Sequence, residues 1–453
     1  MSSLRRLAGV LSLAAVAGLA GALPAAAAAP TLVKDITPGG GDSTPAFFTP
    51  VGSLVLFSAE DAKGRELWRS NGTAASTKRV KDIRPGAAGS GASFLVGMGA
   101  FVLFVADDGT HGLELWRSDG TAGGTKLVKD INPGGDGLNP MLPALWKAGN
   151  RVWFAADDGS SGFEPWSSDG TAAGTKRAGD VDPGAGSSNP AEFTKVGGSV
   201  VYSAKSGGDR ELWRSPASGT GASLLKDING SGSSLPSNLT SAGAFVVFQA
   251  STPGTGAELW RTNGTPGGTT LVKDIHPGPN DSSPLAFGVV NGVITFSAYD
   301  GTVSGLFVTD GTGAGTRVVE DINPGGNANV DGVGVIGGAR IMSSGPLGDE
   351  ELWRTKGTAA STSRIKDILP GSASSSPTQI TTIGSQVVFT ATDGVKGVEL
   401  WRSNGTAGGT TRVADIRPGA EGSIPFFLVA VKGVIWFSAD DGVHGRELWR
   451  YVP

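Results

Sequence analysis

The residues best placed to do chemistry are acidic pairs at chain reversals. Asp107-Asp108-Gly109-Thr110-His111 and Asp440-Asp441-Gly442-Val443-His444 each bring two carboxylates and an imidazole into one short loop, and Asp157-Asp158-Gly159 repeats the acids without the histidine. Glu60-Asp61, Asp300, Asp349-Glu350 and Asp393 occupy corresponding places. Two carboxylates can divide the acid and base roles of glycoside hydrolysis. An imidazole titrates near neutral pH, and carboxylate oxygens suit a hard cation such as calcium. The metal candidates are therefore Asp107, Asp108, Asp157, Asp158, Asp440 and Asp441, with calcium as the ion. Asp-Gly is also the ordinary hairpin signal, so the same acids have a purely structural reading. No Ser/His/Asp constellation or zinc cluster stands out, so no catalytic residue and no cofactor is assigned from sequence.

These acids recur because the chain repeats. Trp68, Trp116, Trp166, Trp213, Trp260, Phe307, Trp353, Trp401 and Trp449 follow one another at intervals of 46–50 residues. A second landmark interleaves with them: Asp35, Asp82, Asp130, Asp180, Asp227, Asp274, Asp321, Asp367 and Asp415. A fixed period of this length marks a repeat architecture. Each unit divides into four apolar runs separated by turn signals; in the second these are Ser93–Val96, Ala100–Ala106, Leu113–Arg117 and Lys126–Ile131. They are short, rich in Val, Ile, Phe and Leu, and without helical period, so they read as strands. Phe101-Val102-Leu103-Phe104-Val105 is apolar throughout and is expected to be covered on both faces.

Four antiparallel strands per unit predict a propeller blade. The fold expected is all-β, a single propeller of about nine four-stranded blades spanning 30–453. The blades fall near 37–83, 84–131, 132–181, 182–228, 229–275, 276–322, 323–368, 369–416 and 417–453 plus 31–36. The last unit lacks its fourth strand, while Thr31–Ile36 is a fourth strand without a unit. Pairing the two closes the ring and leaves no open edge.

Eight units carry Glu-x-Trp, seven of them as Glu-Leu-Trp, often followed by Asp/Asn-Gly-Thr and Lys-Asp-Ile-x-Pro-Gly. This resembles the ELWxxDGT repeat family of exported, mostly bacterial proteins. The resemblance covers 31–453 and implies repeat unit and export, with no functional residue to carry over. From the residues themselves, the repeated Trp reads as the wedge between blades and the Gly of Gly-Thr as a turn residue of positive φ. Asp82 and its equivalents are expected to pair with Arg69 and its equivalents across neighbouring strands.

Arg5 and Arg6, then the apolar run Leu7–Leu23 and the alanines to Ala29, read as a signal peptide over 1–29. The mature protein is therefore expected outside the cytoplasm, secreted or at the cell surface or periplasm. It has no cysteine, so a packed core must carry its stability. A formal net charge of -4 offers nucleic acid no electrostatic footing. No further apolar run is long enough to insert in a membrane, and a monomer is expected. Propeller topology places the acidic hairpins, His111, His276 and His444 on the rim shared with the inter-blade connections. The leading functional expectation is a non-catalytic binding scaffold for an extracellular protein or glycan. The alternative is a propeller-type hydrolase or lyase acting on an extracellular polysaccharide.

Overall fold

The structure, a computed structural model, describes residues 28–139, 145–324 and 326–453. The expected signal peptide lies almost wholly outside them. Nine antiparallel sheets of four strands follow one another around a β-propeller. Blade 1 comprises Ala46–Val51, Leu54–Asp61, Gly64–Ser70 and Lys78–Arg79. Among the described residues, first strands touch the first strands of neighbouring blades at all seams but that between blades 2 and 3, so they lie innermost, and the fourth lies outermost. Blade 9 takes its outer strand from Thr31–Lys34, which pairs antiparallel with Arg446–Tyr451, Leu32 standing opposite Trp449. Ring closure is thus as the sequence predicts. Among the described residues no helix is long and apolar enough to cross a membrane.

The second strands carry the core, because neighbouring blades sandwich them on both faces. Val102, Leu103 and Phe104 are fully buried. Trp116 packs against Leu56, Leu67 and Val80 of the preceding blade, which is the wedge expected of it. Trp116→Ala is expected to cost about 3–5 kcal/mol, read as a fall in chemical-denaturation midpoint.

The polar residues of the repeat tie blades together. Glu66 is fully buried and accepts from the backbone N–H groups of Ile83 (3.2 Å), Arg84 (3.0 Å) and Ser90 (3.1 Å) and from the Ser90 hydroxyl (2.8 Å). One carboxylate thereby joins the third strand, the end of the fourth and the connection to the next blade. The expected Asp82–Arg69 pair does not form. Arg69 instead donates to the Gly120 carbonyl in the next blade's Gly-Thr turn (2.6 Å), while Asp82 meets Arg79 (3.3 Å). Lys81 donates to Thr125 O of that same turn (3.1 Å) and lies over the Trp116 ring. Register is the reason: Arg69 stands opposite Lys78, four residues short of Asp82, so its guanidinium meets the turn carbonyl of the next blade instead.

This double staple recurs between blades 2 and 3, 4 and 5, 5 and 6, and 7 and 8. Among the described residues it is incomplete at the other four seams. Between blades 9 and 1 only the lysine half is kept, Lys34 donating to Thr77 O (2.8 Å). Between blades 8 and 9 Ala414 stands in place of the lysine, and Arg402 meets Thr411 Oγ1 (3.4 Å). The remaining two seams are substituted at both positions. Ser167 and Gly179 replace Arg and Lys between blades 3 and 4, and Val308 and Glu320 replace them between blades 6 and 7. The tryptophans that would lie beneath those lysines, Trp213 and Trp353, are correspondingly only half-buried, unlike Trp116 and Trp166. Seam 6/7 has a substitute. Arg340, at a position held by valine or isoleucine in the other eight blades, reaches back from blade 7. It donates to Thr295 O (3.2 Å), Thr295 Oγ1 (3.0 Å) and Ala286 O (2.9 Å) of blade 6, and to Gly332 O (2.8 Å) of its own blade.

Candidate functional site

The structure places the six candidate acids on the expected rim and gives each a partner in its own neighbourhood. Asp108 accepts from the backbone N–H of Thr110 (2.9 Å) and His111 (3.0 Å) and meets His111 Nδ1 at 2.8 Å. Asp441 does the same with Val443, His444 and the His444 ring. Asp107 and Asp440 bind the Arg84 and Arg417 guanidiniums and the N–H of Gly109 and Gly442. Asp157 accepts from Gly159 N, and Asp158 from Ser160 and Ser161 with Arg177 at 3.7 Å. Burial would raise the Asp108 carboxyl, but the His111 and Thr110 donors outweigh it and hold the group low. The hydrogen bond to Asp108 raises the His111 imidazole. Each histidine is held by one carboxylate of its own hairpin, His111 in blade 2 and His444 in blade 9. These groups cap their hairpins and are not brought together.

A different acidic cluster forms in blade 4. Single carboxylate oxygens of Asp209, Glu211 and Asp227 lie within 4.8 Å of one another. Asp209 stands where blades 1, 2, 3, 5, 8 and 9 have glycine. Glu211 is already bound by Ile228 N (2.9 Å), Ser234 N (2.8 Å) and Ser234 Oγ (2.6 Å).

Blade 2 shows what the repeated serine does for the buried glutamate. Leu138, almost fully buried, stands where Ser90 stands in the preceding unit, so Glu114 loses its hydroxyl donor and Oε2 has no partner. Burial raises the Glu114 carboxyl to about 7. A folded-state pKa above the unfolded one favours folding at low pH, and that contribution is lost as pH rises from the unfolded value through about 7. Glu114→Gln is therefore expected to match the parent near pH 5 and to melt higher than it near pH 8. Leu138→Ser should flatten the parent's own decline in melting temperature over that range.

The site that sequence reasoning missed lies at the inner edge of the ring. Every described inner strand outside blade 3 carries a bulge near its start, and the residue within it has a left-handed backbone. Around the ring these are Phe47, Phe94, Glu192, Asn238, Ala286, Gly332, Gln379 and Phe427. A bulge re-aims its side chain, and here neighbouring blades bring those side chains together. Phe47 packs on Phe94 at 5.3 Å and on Phe427 at 5.5 Å. Glu192 is the charged side chain among these eight. Holding a non-glycine residue at positive φ costs of order 1–3 kcal/mol, and Glu192 sits at +61°.

Glu192, Asn238, Ala286 and Trp146 line a cavity of about 320 Å³. A second cavity, about 590 Å³, shares Asn238 and Ala286 with it and extends to Asn327, Asn329 and Asp331. Both volumes fall in the roughly 300–1,000 Å³ range of small-molecule sites. Trp146 is held by the Phe193 ring at 5.5 Å. Leu239 N donates to Glu192 Oε2 (2.8 Å), orienting the carboxyl. Burial raises Glu192 above the ordinary carboxylate range, with that N–H opposing. A partly desolvated carboxyl beside an aromatic ring and amides can hold a proton and release it to a bound ligand.

No family model matches the chain. No curated protein matches it either. Solved structures with similar folds include a puromycin hydrolase (S511A mutant, complexed with PGG) at 12% identity and TM-score 0.43, covering 88% of this chain and 58% of that one. A Mycobacterium tuberculosis puromycin-hydrolyzing peptidase gives 12% identity and TM-score 0.43, over 91% and 61%. Pyrococcus horikoshii acylaminoacyl peptidase gives 13% and 0.34, over 71% and 52%. The chain thus spans less than two thirds of the length of these proteins. Likeness at this level adds nothing to the fold and assigns no reaction. The leading expectation of a non-catalytic binding scaffold is corrected to this extent: the similar solved chains named here are hydrolases. A TolB from Acinetobacter baumannii is similar as well (12% identity, TM-score 0.30), and the reaction of this chain is left to its own residues.

Proposed function

We propose that this chain is an exported hydrolase of the ELWxxDGT repeat type that cleaves an extracellular polysaccharide at the inner edge of the ring. The observation that carries the reading is Glu192, a carboxyl raised by burial and the charged side chain among the eight bulge residues, set in a cavity with Trp146 and Asn238. Glu192 gives its proton to the glycosidic oxygen as the C–O bond breaks. The oxygen of a water molecule bonds to the anomeric carbon and its proton passes to bulk water, while Asp331 lines the adjoining cavity three blades away. Trp146 offers a flat apolar face to a sugar ring. Release of reducing ends from a panel of polysaccharides is the test. Turnover that persists in Glu192→Gln but is lost in Asp108→Ala or Asp441→Ala would move the chemistry to the hairpins, and an inactive panel would sink the hydrolase reading.

A further inference from the structure

The two joined cavities have a definite electrostatic character. Their charged side chains are Glu192 and Asp331, and among the described residues no Lys, Arg or His lines either one. The remaining polar groups are neutral: Asn238, Asn327 and Asn329, with Thr194, Thr240 and Ser297. Amides and hydroxyls both donate and accept, which matches the hydroxyls of a sugar. Nearby cations are committed elsewhere. Lys147, close in sequence to Trp146, donates to Gly97 O at 2.7 Å. Arg340 interacts electrostatically with Asp331, but it is buried and spends its donors on the blade 6 and blade 7 carbonyls, so it offers a ligand no hydrogen bond.

From this we infer that the site selects glycans by charge, taking neutral or amine-bearing sugars and rejecting uronate-bearing or sulfated ones. The inference rests on the hydrolase reading only for the location of the site. A carboxylate ligand entering here meets Asp331, meets Glu192 as a second like charge once that carboxyl has ionised, and finds no cation among the lining side chains, so like charges oppose its binding. A hexosamine ammonium meets the same two carboxyls as partners. A neutral sugar is decided by Trp146 and the amides alone. The resulting order is amine-bearing, then neutral, then anionic.

Calorimetric titration of the full chain with chitosan hexamer, a neutral β-glucan hexamer and an oligogalacturonate of equal length tests this order directly. The neutral and amine-bearing hexamers are expected to bind at least about tenfold more tightly than the uronate. Raising the salt should shrink the lead of chitosan over the neutral hexamer. Glu192→Gln combined with Asp331→Asn should erase the discrimination against uronate. Trp146→Phe, and Asn238→Ala at an exposed position, should weaken neutral binding while thermal melting confirms the fold. Uronate binding as tight as the neutral hexamer, or discrimination that survives the double variant, overturns the inference. Binding in the expected order without turnover of any glycan leaves the inference standing and removes the hydrolase reading. Turnover confined to uronic polysaccharides does the reverse.

Discussion

Glu192→Gln is expected to lower polysaccharide turnover by about a hundred- to ten-thousand-fold, the usual worth of a positioned proton donor. Glutamine keeps the shape and can still accept from Leu239 N, so binding should survive while the chemical step does not. The loss should appear in kcat more than in KM. The pH profile supplies a second readout. Burial raises the Glu192 carboxyl above the ordinary range, and a proton donor works only below its pKa. Activity of the parent should therefore fall as pH rises through that raised value, and any residual activity of Glu192→Gln should lack this limb. Asp108→Ala and Asp441→Ala, which release hairpin caps and their histidines, should change turnover little. A profile in which those two variants lose the limb instead would place the proton donor on the rim.

A second large effect, on stability, is expected from Arg340→Val. Valine or isoleucine holds this position in every other blade, which would ordinarily make the change benign. Here it should cost about 2–5 kcal/mol. The guanidinium is buried, and burial draws it down to about 10, so it remains charged at neutral pH. Removing it leaves the Thr295, Ala286 and Gly332 carbonyls short of a donor. It also opens a void over Gly288, where an added Cβ would lie 2.8 Å from the Arg340 side chain. Gly288→Thr with Arg340→Val restores the pairing used at this place in blades 1 and 4, and should recover much of the loss. Denaturant titration of both variants measures the coupling. Equal destabilisation of the single and double variants would show that the carbonyls, and not the void, set the cost. The seam between blades 6 and 7 should be the first to exchange amide hydrogens in Arg340→Val, because it has neither Lys nor Arg staple in reserve.

Much of the molecule was legible in the sequence. The Trp period, the four apolar runs and the orphan strand Thr31–Ile36 led to nine blades and a closed ring, because each states a local requirement that only one packing satisfies. The wedge role of Trp116 and the turn role of Gly120 followed for the same reason. The pairing of Asp82 with Arg69 did not. The two charges lie on adjacent strands but out of register, Arg69 standing opposite Lys78, and the guanidinium meets the Gly120 carbonyl of the next blade. Contacts between blades depend on how far one sheet is rotated against the next, and spacing along the chain does not encode that angle. Export and family membership rest on the sequence and are carried here as proposals.

The site divides along the same line. Sequence pointed to the Asp-Asp-Gly hairpins because acids and histidines cluster there, yet the structure shows those carboxylates occupied by their own turns. Glu192 had one legible signal, since it is the charged residue at a place in the repeat that holds Phe, Asn, Ala, Gly or Gln in the other blades described. What made it a candidate was the inner-strand bulge, which a sequence pattern of alternating faces cannot reveal. By itself the sequence determined the blade, its number and the closure of the ring, because burial of alternating apolar faces dictates them residue by residue. Only the tertiary structure decided which side chains meet at the centre, because that meeting joins Trp146, Glu192 and Asn238 from three separate blades through a backbone turn that no one blade's sequence specifies.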